Sequence, residues 1–341
     1  MEPLRIGLVG FGRLGRNLFR ILADQPDLEL VAISDKIDLA SLAYLLRFDT
    51  LLGRFPRPIH PGDGFLDVDG RRLRVLPGGE PASLPWRELG VDVVVEEGKA
   101  GRTRAEFAGH LEAGARRVIV CVPTSGRVDL TVVRGVNDEQ LQAAHRIVSP
   151  GSSSAQAAAP VLKVLSDAFG LERAFLTTVH AYSDQQRLAD VPADDYRRGR
   201  AAAENIVPQP TNAAEVLVEL LPELAGKLHA LSLNVPLANG SVVDLVSWHS
   251  KEVSREAINQ ALADAAAKPR YQGVLAYESE PIVSSDVLRS SYSSNFDSLA
   301  TMTLAGRVAK TLAWFDNGWG YAHRVLELAR RLRQLDEEAP R

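Results

Sequence analysis

The stretch Gly10-Phe11-Gly12-Arg13-Leu14-Gly15 constrains the fold more than any other part of the chain. It directly follows Arg5–Val9, an apolar run of buried-strand character, and it opens Arg13–Leu22, whose apolar residues recur at helical spacing. Gly10 permits a tight turn, Gly12 lets backbone approach a pyrophosphate, and Gly15 permits close helix–strand packing; the helix N-terminus offers its N–H donors. Phe11, Arg13 and Leu14 complete the loop. Asp35 stands 20 residues after Gly15, at the end of the next strand pattern. A carboxylate there bonds a ribose 2′-hydroxyl and repels a 2′-phosphate, so the expected cofactor is NAD rather than NADP. A glycine turn serving packing alone is the competing reading, and the placement of Asp35 weighs against it.

The rest of the first 150 residues extends this pattern. Leu28–Ser34, Val91–Glu96 and Arg117–Val122 are β-branched runs near Gly or Pro breaks, and Thr103–Ala115 has helical spacing with a stop at Gly114. Alternating strands and helices predict an α/β domain built on a mostly parallel sheet. Residues 61–80, with their glycine turns and alternating strands, read as an antiparallel excursion. SPGSSS at 149–154 marks a boundary. Beyond it come a helix from about Ala155 to Leu165, strands at Ala174–Ala181, Ala230–Pro236 and Ser241–Ser250, and a helix at Glu256–Ala267. This half is expected to be an α+β domain with an antiparallel or mixed sheet. Val325–Leu335 is amphipathic and is expected to return to the first domain. The expected division is 1–150, 151–316 and 317–341.

Composition excludes several function classes. In 341 residues, 39 Lys and Arg balance 43 Asp and Glu, a net charge of -4 that favours no nucleic-acid or membrane-surface binder. The RRLR runs at 71–74 and 330–333 read as solvated faces. A single cysteine, Cys121, rules out internal disulfides and metal sites built on several thiolates, and no metal is expected. No apolar run approaches the roughly 20 residues that span a bilayer. The N-terminus lacks a signal-peptide layout, so the expected location is cytoplasmic. His60, His110, His145 and His249 show no partner in sequence. His180 differs, because it ends the β-branched run of TTVHAY at 177–182, where a histidine can serve as a general base.

GFGRLGR at 10–16, HLEAGARRVIV at 110–120, the long stretch 177–208, GSVVDL at 240–245 and WFDNGWGY at 314–321 together resemble glyceraldehyde-3-phosphate dehydrogenases, with erythrose-4-phosphate dehydrogenases also similar. The resemblance runs nearly end to end. It implies a Rossmann-type NAD-binding domain followed by the family's catalytic domain. It also implies oxidation of a phosphorylated aldehyde through a cysteine thiohemiacetal, hydride transfer to NAD, release of the thioester to phosphate, and a homotetramer. By the same resemblance, Gly10, Phe11, Gly12, Arg13 and Leu14 cradle the dinucleotide and Asp35 meets the adenosine ribose. Asn317 holds the nicotinamide carboxamide, His180 is the catalytic histidine, and 181–205 is the loop near a neighbouring subunit's cofactor.

The departures from the family pattern are as telling. Where the family has Ser-Asn-Ala-Ser-Cys-Thr-Thr-Asn, this chain reads SPGSSSAQ at 149–156, so Ser153 stands in the nucleophile's place between Ser152 and Ser154. A thiol of pKa about 8.5 is partly ionised near neutrality, whereas a serine hydroxyl is not, and its ester is a poorer acyl donor than a thioester. The family's Phe-Arg-Val-Pro reads Leu233-Asn234-Val235-Pro236, and a phosphate-site lysine aligns with Asp194. Thr211-Asn212 replaces a Thr-Gly pair, and Gly98-Lys99 replaces another. Ser183, Thr211, Arg197, Arg198 and Arg200 still offer anion contacts. The expectation is an NAD-binding family member, inactive or much reduced as a dehydrogenase. Three alternatives stand beside it: acyl hydrolysis by Ser153 and His180, a non-phosphorylated aldehyde, or an active enzyme carrying an engineered Cys→Ser change. Cys121 is either a relocated thiol or, as buried cysteines usually are, a small apolar strand end.

Overall fold

A computed structural model describes residues 2–183 and 186–338. Positions 184 and 185 of the 181–205 loop, and residues 339–341 of the last segment, lie outside the described residues. The chain divides into two units: Met1–Thr131 with Gln140–Pro150 and Ala322–Arg341, and Val132–Glu139 with Gly151–Tyr321.

In the first unit, β1 (Leu4–Val9) leads into helix α1 (Arg13–Leu22) and then β2 (Leu28–Asp35). Helix α2 (Leu39–Arg47) precedes a short ladder of β3 (Phe48–Asp49) and β4 (Gly53–Arg54). The antiparallel excursion follows as β5 (Ile59–Pro61), β6 (Phe65–Val68) and β7 (Arg71–Pro77). The unit continues through β8 (Val93–Glu96), helix α3 (Arg104–Glu112), β9 (Arg117–Val120), β10 (Leu130–Thr131) and β11 (Ile147–Ser149). These strands form a nine-stranded sheet ordered β10-β11-β9-β8-β1-β2-β7-β6-β5. From β10 to β7 every pairing is parallel, as expected for βα units whose strands are covered on both faces.

A buried polar cluster sits at the end of β8. The Glu96 side chain is fully buried, as is His110 on α3. His110 Nδ1 accepts from Trp86 Nε1 at 3.0 Å, which leaves Nε2–H to donate to Glu96 at 2.8 Å. Arg102 approaches the same carboxylate at 3.6 Å, and the Gly98 N–H donates to its other oxygen at 2.9 Å. Buried carboxylates persist only when paired in this way.

The second unit holds helix α4 (Ser153–Phe169), β12 (Leu171–Ala181), β13 (Val207–Gln209), helix α5 (Ala213–Leu220), β14 (Leu228–Val235), β15 (Ser241–His249), helix α6 (Arg255–Ala266), β16 (Leu275–Glu278), β17 (Ser294–Leu304) and β18 (Val308–Phe315). Its seven-stranded sheet runs β13-β14-β12-β15-β18-β17-β16 and is mixed, with β12∥β14 and β16∥β17 parallel and the rest antiparallel. Helix α4 starts two residues before the Ala155 read from sequence, because the Ser152 hydroxyl caps it by accepting from Ala155 N–H at 3.2 Å. It also runs through Pro160 to Phe169. Ala155, Ala157, Ala158, Ala159, Leu162 and Leu165 are all fully buried on it, so α4 is the central helix of this unit's core.

The last helix, α7 (Trp319–Glu338), begins six residues earlier than the Val325 start read from periodicity. Asp316 accounts for the difference: its carboxylate accepts from the N–H groups of Gly318 and Trp319 at 2.8 and 2.6 Å and so nucleates the first turn. From Ala322 onward the helix belongs to the first unit, where Arg330 pairs with Asp27 at 2.6 Å and Arg117 pairs with Asp336.

Glu96→Ala is expected to lower the unfolding free energy by about 3 kcal/mol, since buried donors on His110 and Gly98 lose their acceptor. Urea denaturation measures this, and a loss within about 1 kcal/mol would mean the cluster is not what holds the β8 end.

Candidate functional site

In the first unit the turn between β1 and α1 is a close fit that only glycine tolerates. Gly10 has φ +87°, and a Cβ there would lie 2.8 Å from the Glu97 carbonyl carbon. A Cβ on Gly15 would lie 2.7 Å from Gly10 O. Phe11 is buried and packs edge-on against Phe19, with ring centroids 6.0 Å apart. Asp35, at the carboxyl end of β2, accepts from the N–H groups of Phe11 at 2.6 Å and Ile37 at 2.9 Å, which ties the glycine turn to the strand and leaves lone pairs for a hydroxyl donor. The cradle that a Cβ would fill, together with Asp35, fits a dinucleotide. One residue absent from the sequence reading intrudes here. Glu97 accepts from Leu14 N–H at 3.2 Å and Gly15 N–H at 2.9 Å, at the start of α1.

In the second unit, Ser153 is the first residue of α4, where the helix dipole favours negative charge. His180 lies near the end of β12 and stands in register with Asn234 on the parallel strand β14. These meet at a cavity of about 230 Å³ whose wall includes Ser152, Ser153, Ser154, His180, Ser183, Thr211 and Asn234. With Arg198 and Asn212 on the same wall, nine residues named from sequence are thus brought together. Ser232 adds a further hydroxyl, and Arg198 is the cation among the lining residues.

Other residues named from sequence lie elsewhere. Arg200 pairs with Asp190 at 3.1 Å, and the Ala201 N–H, together with that guanidinium, holds the Asp190 carboxyl below its usual range. Asp194 and Arg197 line a separate cavity of about 590 Å³ with Tyr196 and Pro208. Cys121 follows β9 in the first unit and is half-buried, its N–H donating to Glu96 O at 2.9 Å.

His180 is held in a closed ring of hydrogen bonds. Ala181 N–H donates to Ser241 Oγ at 2.9 Å, and Ser241 Oγ donates to Asn317 Oδ1 at 2.8 Å. Asn317 Nδ2 donates to His180 Nε2 at 3.0 Å, and His180 Nδ1 donates to Ala181 O at 2.6 Å. The ring assigns the histidine proton to Nδ1 and turns the Nε2 lone pair toward Asn317. Besides Glu97, Ser241 and Gln186 are functional residues that sequence reasoning missed. Gln186 Oε1 accepts from Asn234 Nδ2 at 2.7 Å and Ser183 N–H at 2.8 Å, joining the 181–205 loop to β14. No spacing rule marks a loop glutamine. Ser241 did fall inside the quoted GSVVDL stretch.

Among the described residues, no group of three or more His, Cys, Asp or Glu is arranged to hold a metal ion. Nor, among them, is any helix long and apolar enough to cross a membrane.

Residues 4–104 match the family model described as glyceraldehyde 3-phosphate dehydrogenase, NAD binding domain, and residues 152–317 match that of the C-terminal domain of the same enzyme. The chain is 44% identical over 327 residues to glyceraldehyde-3-phosphate dehydrogenase of Geobacillus stearothermophilus, covering 96% of this chain and 97% of that protein. It is 42% identical to glyceraldehyde-3-phosphate dehydrogenase 2 of Streptomyces avermitilis, with 95% and 97% covered, and 42% identical to the Borreliella burgdorferi enzyme, with 96% and 99% covered. NAD is the cofactor of the glycine-turn unit. With both family domains matched in order and the relatives aligned over nearly their whole length, the chain belongs to the glyceraldehyde-3-phosphate dehydrogenase family.

Proposed function

We propose that this chain is an NAD-binding member of the family in which phosphorylating aldehyde oxidation is lost or greatly reduced. The observation that carries the reading is the first residue of α4. Ser153 occupies it, on the wall shared with His180. NAD supplies a hydride acceptor when bound. Ser153, however, must surrender a proton as it attacks a carbonyl, and the only nitrogen of His180 able to take it already accepts from Asn317. Each 1.36 kcal/mol so added to the barrier costs about tenfold in rate.

The rest of the wall points the same way. Asn234 is a neutral amide tied to Gln186, and Arg198 shares its guanidinium with Gln209 at 3.0 Å. A dianionic phosphate ester would find little compensating charge there. Six hydroxyl-bearing residues on the wall (Ser152, Ser153, Ser154, Ser183, Thr211 and Ser232) favour, as a second reading, a small polyhydroxylated aldehyde without phosphate. We assign the cofactor role to residues 1–150, with Asn317 toward the nicotinamide carboxamide, and the substrate role to 151–316. The location proposed is the cytoplasm. A homotetramer is part of the same reading, supported by an uncovered sheet face on which Phe175, His229 and Leu231 are exposed in adjacent positions of β12 and β14.

Calorimetry is expected to show NAD binding, while no NADH forms from glyceraldehyde 3-phosphate, NAD and inorganic phosphate. Ser153→Cys alone should remain at least roughly 100-fold below its combination with Asn234→Arg, since a guanidinium–phosphate bond contributes a few kcal/mol. Ordinary turnover in Ser153→Cys alone would sink the reading. Phe175→Asp should shift the sedimenting species to a smaller assembly; an unchanged distribution removes that sheet face from the interface.

A further inference from the structure

The glycine turn exists to bring a pyrophosphate onto the first N–H groups of α1, where unsatisfied donors and the helix dipole favour an anion. In this chain two of those donors, on the second and third residues of α1, already have one. Glu97 Oε1 accepts from Leu14 N–H at 3.2 Å and Oε2 from Gly15 N–H at 2.9 Å, one carboxylate spanning two successive donors. It also lies against the glycines themselves. A Cβ built on Gly12 would meet Oε1 at 3.2 Å, and one built on Gly15 would meet Oε2 at 3.1 Å. At Gly12 the carboxylate therefore sits in the close-approach space that this glycine keeps open for phosphate oxygens.

The backbone that presents Glu97 is fixed on both sides. Its N–H donates to Val9 O at 2.8 Å, and the preceding Glu96 is locked by His110 and by Gly98 N–H. Only side-chain rotation can move the carboxylate. Glu97 is half-buried and is followed by exposed Gly98, Lys99 and Ala100, so a solvent-facing rotamer is open to it. A pyrophosphate cannot share the donors with a carboxylate, because like charges at that separation repel strongly.

We infer that Glu97 is an autoinhibitory residue of the cofactor site: its carboxylate holds the pyrophosphate donors of α1 and swings out when NAD binds. The inference rests on the NAD assignment and goes beyond it, since it makes cofactor affinity a property of one acidic side chain outside the glycine motif. A cation that draws Glu97 away raises that affinity without touching the dinucleotide.

The test compares the full chain with Glu97→Gln, which keeps the shape and removes the charge, and Glu97→Ser, which cannot reach the donors. NAD titrations by calorimetry are expected to give roughly tenfold tighter binding in Glu97→Ser and an intermediate gain in Glu97→Gln. Without NAD, Glu97→Ser should melt lower, having lost the internal anion at the helix start, while its rise in Tm on adding saturating NAD should exceed that of the parent. A merely structural Glu97 would lower the melting point and leave NAD affinity unchanged or weaker, and that result overturns the inference while the cofactor assignment stands. If none of the three proteins binds NAD, both fall.

Discussion

A carboxylate with no access to water, Glu96, organises the end of the strand from which the glycine-turn unit presents its loop. Through His110 it fixes Trp86, whose ring lies so close to Gly7 of β1 that a Cβ there would come within 2.8 Å. Through the Gly98 N–H it fixes the turn that follows β8. Burying such a charge costs several kcal/mol unless each lone pair is answered, so the surrounding residues are chosen as a set rather than one by one. The side chain next to it, Glu97, inherits a backbone that cannot adjust, and this rigidity is why it lands on α1 at hydrogen-bond distance.

The second unit shows a comparable division between frame and chemistry. A cap on α4, a parallel register joining His180 to Asn234, and a hydrogen-bond ring through Ser241 and Asn317 place each group with little freedom. All of these devices use backbone or neutral amides and hydroxyls. None of them depends on whether residue 153 carries sulfur or oxygen, or on whether residue 234 is charged. The architecture therefore tolerates substitutions that the reaction does not.

Much of this was legible in the sequence because it depends on local period and local turn chemistry. Gly10, Gly12 and Gly15 between a strand run and a helical run specify one kind of connection, and the mixed strands of the second half follow from their turns. Helix starts were read late, at Ala155 and Val325, since periodicity detects the apolar face and not the polar caps, Ser152 and Asp316, that precede it. His180 stood out at the end of its β-branched run, while Ser153 and Asn234 were found through family position. Gln186, Ser241 and Glu97 were not, because each matters through a partner distant in sequence: Asn234, Asn317 and α1 respectively. Arg200 shows the reverse, a residue of suitable chemistry whose partner, Asp190, lies off the cavity.

The C-terminal helix carries a consequence for how the protein is made. The first unit is not a contiguous stretch of chain; it includes Ala322–Arg341, anchored by Arg330 to Asp27 and by Asp336 to Arg117. During synthesis, domains usually fold as they emerge, the N-terminal one first. Here the first 131 residues leave the ribosome long before the helix that finishes their unit. The cofactor-binding unit must wait, partly assembled, while the whole of the second unit is translated, and it closes only once Ala322–Arg341 follows.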